Sequence, residues 1–148
     1  SRTSDAVAAG KEAEVIPETT LRATFQGIAE NDRVIRRLAA AAPCETLHIM
    51  PPPPKENLDH LASSDKAYRG KTIAEHGFAP AATRLALWQI EEEALRDWLA
   101  DHGIGSLEIP EEARTPEGYL HPDYAAPDAT HANPAYGAKL IARILSRP

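Results

Sequence analysis

One cysteine, Cys44, is all the thiol this chain possesses. That excludes an intrachain disulfide and any cysteine-rich metal site. A basic excess is lacking too: 16 lysines and arginines stand against 22 acidic residues, a net charge of −6. Phosphate backbones and anionic membranes reward basic patches, so nucleic acid is not an expected partner. No apolar run approaches the roughly 20 residues needed to cross a bilayer, so no membrane span is expected. Neither a starting methionine nor a secretory signal is visible at Ser1-Arg2-Thr3-Ser4-Asp5, which reads as a processed or truncated end. The cytoplasm is therefore only the default compartment, and export of a longer precursor stays open.

What is present suits a single domain over residues 1–148. Hydrophobic residues make up 43% of the chain, enough for one core. Residues 1–17 are small and polar and read as loop. Thr19 or Thr20 can cap a helix running to about Ala42, with Leu21, Phe25, Ile28, Val34, Ile35 and Leu38 at roughly helical spacing and Pro43 as its stop. Glu45 to Met50 is a strand candidate, and Pro51 to Pro54 must leave the sheet. Residues 51–79 form a long irregular passage with one helical turn near Asn57 to Ser63. A helix is expected from Pro80 to about His102, ended by Gly103, with Leu85, Trp88, Glu92, Leu95 and Leu99 near one face. Ile104 to Ile109 is a second strand, stopped by Pro110. Residues 110–132 are loop, and Asn133 caps a final helix with Pro134 at its first position.

Strands alternating with helices imply an α/β fold with a parallel sheet and right-handed crossovers. Only two strands are visible, however, and such a sheet exposes both edges. The chain reads as part of an α/β domain.

The densest chemistry lies in Asp128-Ala129-Thr130-His131. A carboxylate three residues ahead of an imidazole on a loop can bond one ring nitrogen, fix the tautomer and leave the other nitrogen free as a base. Gly118-Tyr119-Leu120-His121-Pro122-Asp123 leads in, and Asn133-Pro134-Ala135-Tyr136-Gly137-Ala138-Lys139-Leu140 leads out. The whole passage resembles the last sequence block of the SGNH (GDSL-type) hydrolases, in which an Asp-x-x-His pair precedes the closing helix. The resemblance extends upstream, through a helix rich in Arg, Leu and Ala and the strand-to-proline passage Leu47-His48-Ile49-Met50-Pro51-Pro52-Pro53-Pro54, to cover the chain from about Thr19. It implies a flavodoxin-like three-layer sandwich of which this chain supplies the C-terminal part. It also implies ester hydrolysis or acyl transfer on a small-molecule ester, with His131 as general base, Asp128 as its orienting partner and no cofactor. No Gly-Asp-Ser stretch, the block that carries the family's nucleophile, occurs here. The serine and the oxyanion donors would come from a missing N-terminal half or a complementing chain. Gly27-Ile28-Ala29-Glu30-Asn31-Asp32 is too long by two residues for the family's Gly-x-Asn-Asp block and lies in a helical pattern.

Two other readings compete. One is a non-catalytic relative that keeps the fold as a binding module. The other is a metal-dependent hydrolase in which His121, Asp123, Asp128 and His131 converge on one ion, although they follow no familiar zinc spacing. Elsewhere the expectations are plainer. Cys44 and His48, four apart along a strand, lie roughly 13 Å from one another and cannot form a nucleophile pair; Cys44 reads as a small apolar residue at the strand's entrance, His48 as a half-buried sheet residue. Glu91-Glu92-Glu93 reads as a solvated helix face, and Lys55, Lys66, Arg69 and Lys71 read as surface charges. The four prolines 51–54 suit a rigid wall, Asn133 suits a cap rather than a substrate ligand, and Thr130 suits a loop hydrogen bond. Tyr119 and Tyr136 fit either a pocket lining or packing on the closing helix.

Overall fold

A computed structural model describes residues 15–58 and 77–147. Most of the N-terminal loop, most of the turn expected near Asn57 to Ser63, and Lys66, Arg69 and Lys71 lie outside the described residues. In order, the elements are α1 (Glu18–Asn31), α2 (Arg33–Ala41), β1 (Leu47–Ile49), α3 (Ala81–Asp101), β2 (Gly105–Leu107) and α4 (Pro134–Leu145), with single 3-10 turns at Glu111–Ala113 and Pro122–Tyr124. β1 and β2 pair in parallel, Leu47 opposite Gly105 and Ile49 opposite Leu107. The chain is thus α/β, with mixed helices and a two-stranded parallel sheet among the described residues.

The expected helix 19–42 is two helices. Pro17, not a threonine, precedes the first turn, because its fixed φ of −60° suits a helix start. Asp32 then breaks the run: its carboxylate accepts the Val34 and Ile35 N–H groups at 3.0 and 3.2 Å and restarts the chain as α2. Aspartate competes with the helix backbone in this way, which is why it favours caps over interiors. The inward stripe of α1 is the half-buried Leu21 and Phe25 and the buried Ala29, at i, i+4 and i+8. Ile28, Val34 and Leu38, expected inside, are instead 62–65% exposed.

Helix α3 is the spine. Leu99 and Ala94 have no exposed surface, Trp98 and Trp88 are buried, and Met50, Leu107, Ile109, Leu120, Tyr136 and Leu140 complete the core around them. The Trp98 indole N–H donates to Glu30 Oε1 at 2.8 Å, fastening α1 to α3. Gly103, at φ 67°, takes the left-handed turn that ends α3, and the Ile104 N–H returns to the Leu99 carbonyl at 2.9 Å. β2 starts immediately.

Glu92 departs from the expected solvated face. Glu91 and Glu93 are exposed, but the Glu92 side chain is only 9% exposed and accepts from Arg96 at 2.8 Å and Arg114 at 3.3 Å. Arg96 continues to Glu108, which also accepts from Ser106 Oγ at 2.9 Å. The Arg114 guanidinium lies 5.4 Å from the Trp88 ring centre. A carboxylate on the core face of α3 needs such partners to be buried at all. The network ties the spine to the segment that follows β2, and that segment leads to the site.

Candidate functional site: the Asp128–His131 loop

Both strands run out, at their carboxyl ends, into the platform under the loop. After β1 the chain passes through Pro51–Pro54, where the Pro54 carbonyl accepts the Leu120 N–H at 3.0 Å. After β2 it passes through Pro110 and the Ala113 turn, where the Ala113 carbonyl accepts the His121 N–H at 2.9 Å. Pro53 and Pro110 are fully buried, so these turns are rigid walls of the kind expected for the proline run. Parallel α/β sheets place ligands at this end.

The loop closes on itself. Ala125 and Ala132 form an antiparallel bridge, the Ala126 N–H reaches the His131 carbonyl at 3.1 Å, and the Asn133 N–H reaches the Tyr124 carbonyl at 2.7 Å. Asn133 acts on both sides. Its Oδ1 accepts the Ala135 and Tyr136 N–H groups, capping α4 as expected, while its Nδ2 donates to the Asp123 carbonyl at 2.7 Å.

Between these anchors Asp128 gathers the loop tip. Its Oδ1 accepts the His131 N–H at 2.7 Å and the Thr130 N–H at 2.9 Å, and its Oδ2 lies 2.9 Å from His131 Nδ1. The His131 backbone N–H, then the Thr130 N–H, the His131 ring and Lys55, outweigh desolvation and hold the Asp128 carboxyl well below the usual carboxylate range. It is ionised at neutral pH. A carboxylate accepting from Nδ1 leaves Nε2 as the ring's basic lone pair. The His131 side chain is 78% exposed, and Nε2 has no partner among the described residues.

Lys55 was missed as part of this site. Expected as a surface charge, it is only 5% exposed, and its Nζ donates to the Ala126 carbonyl at 2.6 Å, to the Asp128 carbonyl and, at 3.4 Å, to Asp128 Oδ1. A buried lysine of this kind needs oxygens around it, but those oxygens belong to residues 71 and 73 positions away. Pattern reading along the chain has no access to them. Lys55, Leu120, Pro122, Ala126 and Pro127 line a cavity of about 400 Å³ behind the loop.

Other candidates fall outside this arrangement. His121 Nδ1 accepts from the Asp123 N–H at 3.3 Å and lies 3.7 Å from its carboxylate, as a pair separate from Asp128 and His131. Among the described residues no three His, Cys, Asp or Glu side chains gather to hold a metal, so the four-residue metal set does not form. Cys44 is exposed ahead of β1 and shares no hydrogen bond with His48. Burial pushes the His48 imidazole down, against the raising effect of Asp32, and its Nδ1 is buried without a partner. Tyr119 and Tyr136 are both buried.

No protein-family model, no curated protein and no solved structure matches this chain.

Proposed function

We propose that this chain carries the acid–base half of a serine ester hydrolase or acyltransferase of SGNH type, with His131 as general base and Asp128 as its orienting carboxylate. The observation that carries the reading is the 2.9 Å contact between His131 Nδ1 and Asp128 Oδ2, with Nε2 unengaged on an exposed ring. Nε2 takes the proton of a serine hydroxyl as its oxygen adds to the ester carbonyl. The same nitrogen then returns that proton to the departing alcohol, leaving an acyl-serine that water or another acceptor resolves. Asp128 stays ionised throughout and stabilises the imidazolium.

The serine and the oxyanion donors come, on this reading, from sequence outside this chain, either upstream in the same polypeptide or on a complementing one. Among the described residues β1 pairs on one side only, and the exposed Ile28, Val34, Leu38, Ile141 and Leu145 support a larger assembly, since a full three-layer sandwich would cover such surfaces. Turnover of a short-chain aryl ester by the full-length polypeptide tests the reading. His131→Ala is expected to lower kcat by roughly 10³-fold or more while unfolding stays cooperative, as loss of a general base does in serine hydrolases. Full activity in that variant refutes the assignment. Absence of turnover in the unmutated full-length protein points instead to a binding module.

A further inference from the structure

One side chain beneath the loop bearing His131 is out of character, a lysine only 5% exposed. Lys55 sits where the chain leaves the proline run, six residues beyond β1, and its Nζ is enclosed by oxygens from a single loop: the Ala126 carbonyl, the Asp128 carbonyl and Asp128 Oδ1. The backbone that carries Lys55 is itself held. Arg84, on the first turn of α3, donates through Nη2 to the Lys55 and Glu56 carbonyls, each at 2.8 Å, and through Nη1 to the Ala79 carbonyl. A chain of cation-to-oxygen contacts therefore runs from the spine helix through Arg84 and Lys55 to Asp128, and from Asp128 to the ring.

Resting on the catalytic reading of His131, we propose that Lys55 is the positioning residue of the Asp128–His131 pair. Its ammonium fixes the two carbonyls that bracket Pro127, and this sets where the Asp128 side chain starts. The loop's own hydrogen bonds close the tip around Asp128, and its ends are anchored at Leu120, His121 and Asn133; Lys55 is what ties the tip itself to the chain leaving β1. Lys55 also touches Oδ1, the oxygen already shared by the Thr130 and His131 N–H groups, and so leaves Oδ2 for the ring. An ammonium suits this task because it has three donors and no acceptor, matching three oxygens without competing for the imidazole N–H. The Lys55 ammonium bonds the Ala126 and Asp128 oxygens and not the ring. Its effect passes through Asp128.

The ring tautomer, read by long-range ¹H–¹⁵N correlation on the labelled chain above the imidazole titration, separates this role from mere packing. The unmutated protein is expected to hold His131 as the Nδ1–H form. Lys55→Met keeps the aliphatic stem and removes the donors; it is expected to move His131 toward the Nε2–H form favoured by a histidine free in water, with the amide spectrum of α3 and β2 unchanged. Retention of the Nδ1–H form in a folded Lys55→Met overturns the role of Lys55 and leaves the catalytic reading standing. An Nε2–H form in the unmutated protein sinks the catalytic reading itself. Should Lys55→Met fail to fold, the ammonium resonance of Lys55 in the unmutated chain decides. A slowly exchanging signal coupled to the Ala126 and Asp128 carbonyl carbons upholds the clamp, and rapid exchange with water overturns it.

Discussion

The loop from His121 to Asn133 and the layer formed by α1 and α2 solve opposite problems. The loop has almost no regular structure, yet its tip is drawn together around one carboxylate: Asp128 gathers two N–H groups, a ring nitrogen and a lysine, and Asn133 joins the loop to α4. The α1–α2 layer is regular, yet it leaves Ile28, Val34 and Leu38 facing water. Regularity and completeness are therefore separable. The loop is finished by its own hydrogen bonds plus one reach from Lys55, whereas the helices satisfy their backbones locally and leave apolar side chains uncovered. The proposed chemistry falls in the loop.

Three changes would break or sharpen this contrast. The largest effect on stability is expected at the seam of the loop. Asn133→Ala removes the cap of α4 and the donors to the Asp123 and Ala125 carbonyls, and should cost about 1–3 kcal/mol in urea unfolding, with faster amide exchange at Ala126. A change within a few tenths of a kcal/mol would mean that the loop is held elsewhere.

Acid should act next. The Asp128 carboxyl is depressed chiefly by the His131 N–H, and that of Glu108 chiefly by Arg96. A carboxyl lowered on folding stabilises the fold above its unfolded value of about 3.9–4.3, and the contribution fades as pH falls through the folded value. The urea midpoint should therefore fall as pH drops from about 5 toward 3, and Asp128→Asn and Glu108→Gln should each flatten that fall. An unchanged slope in both variants would contradict the hydrogen-bond assignments.

The smallest effect belongs to the uncovered layer. Val34→Ser or Leu38→Ser, measured on this chain alone, should change stability by about 0.5 kcal/mol or less, as exposed sites generally do. A loss of about 2 kcal/mol or more at either position would show that the layer is already covered, and the contrast would dissolve.

The same division explains what could be read from sequence. Local chemistry was legible: Asn133-Pro134 as a cap, Gly103 as a helix stop, and Asp128 as the partner of His131 all follow from neighbours within four residues. The break at Asp32 was local too, and its signal, an Asn-Asp pair inside a helical pattern, was there to be weighed against the apolar spacing that overrode it. Burial of Lys55 was not legible, because the oxygens that enclose it are distant in sequence. Glu92 was half legible, since helical spacing set it beside Leu85, Trp88, Leu95 and Leu99 with Arg96 four residues on, while its second partner, Arg114, comes from beyond β2. The metal alternative failed for a related reason. His121, Asp123, Asp128 and His131 lie close in sequence, but the turn at Pro122–Tyr124 and the bridge at Ala125 direct them into two separate pairs.

The central claim is that His131, held by Asp128, deprotonates a serine supplied from outside this chain. A fluorophosphonate probe, which reacts only with an activated serine, reads that step directly on the full-length polypeptide. The account predicts stoichiometric labelling of one serine, slowed by roughly 10³-fold or more in His131→Ala. Labelling of the variant at the undiminished rate would contradict it.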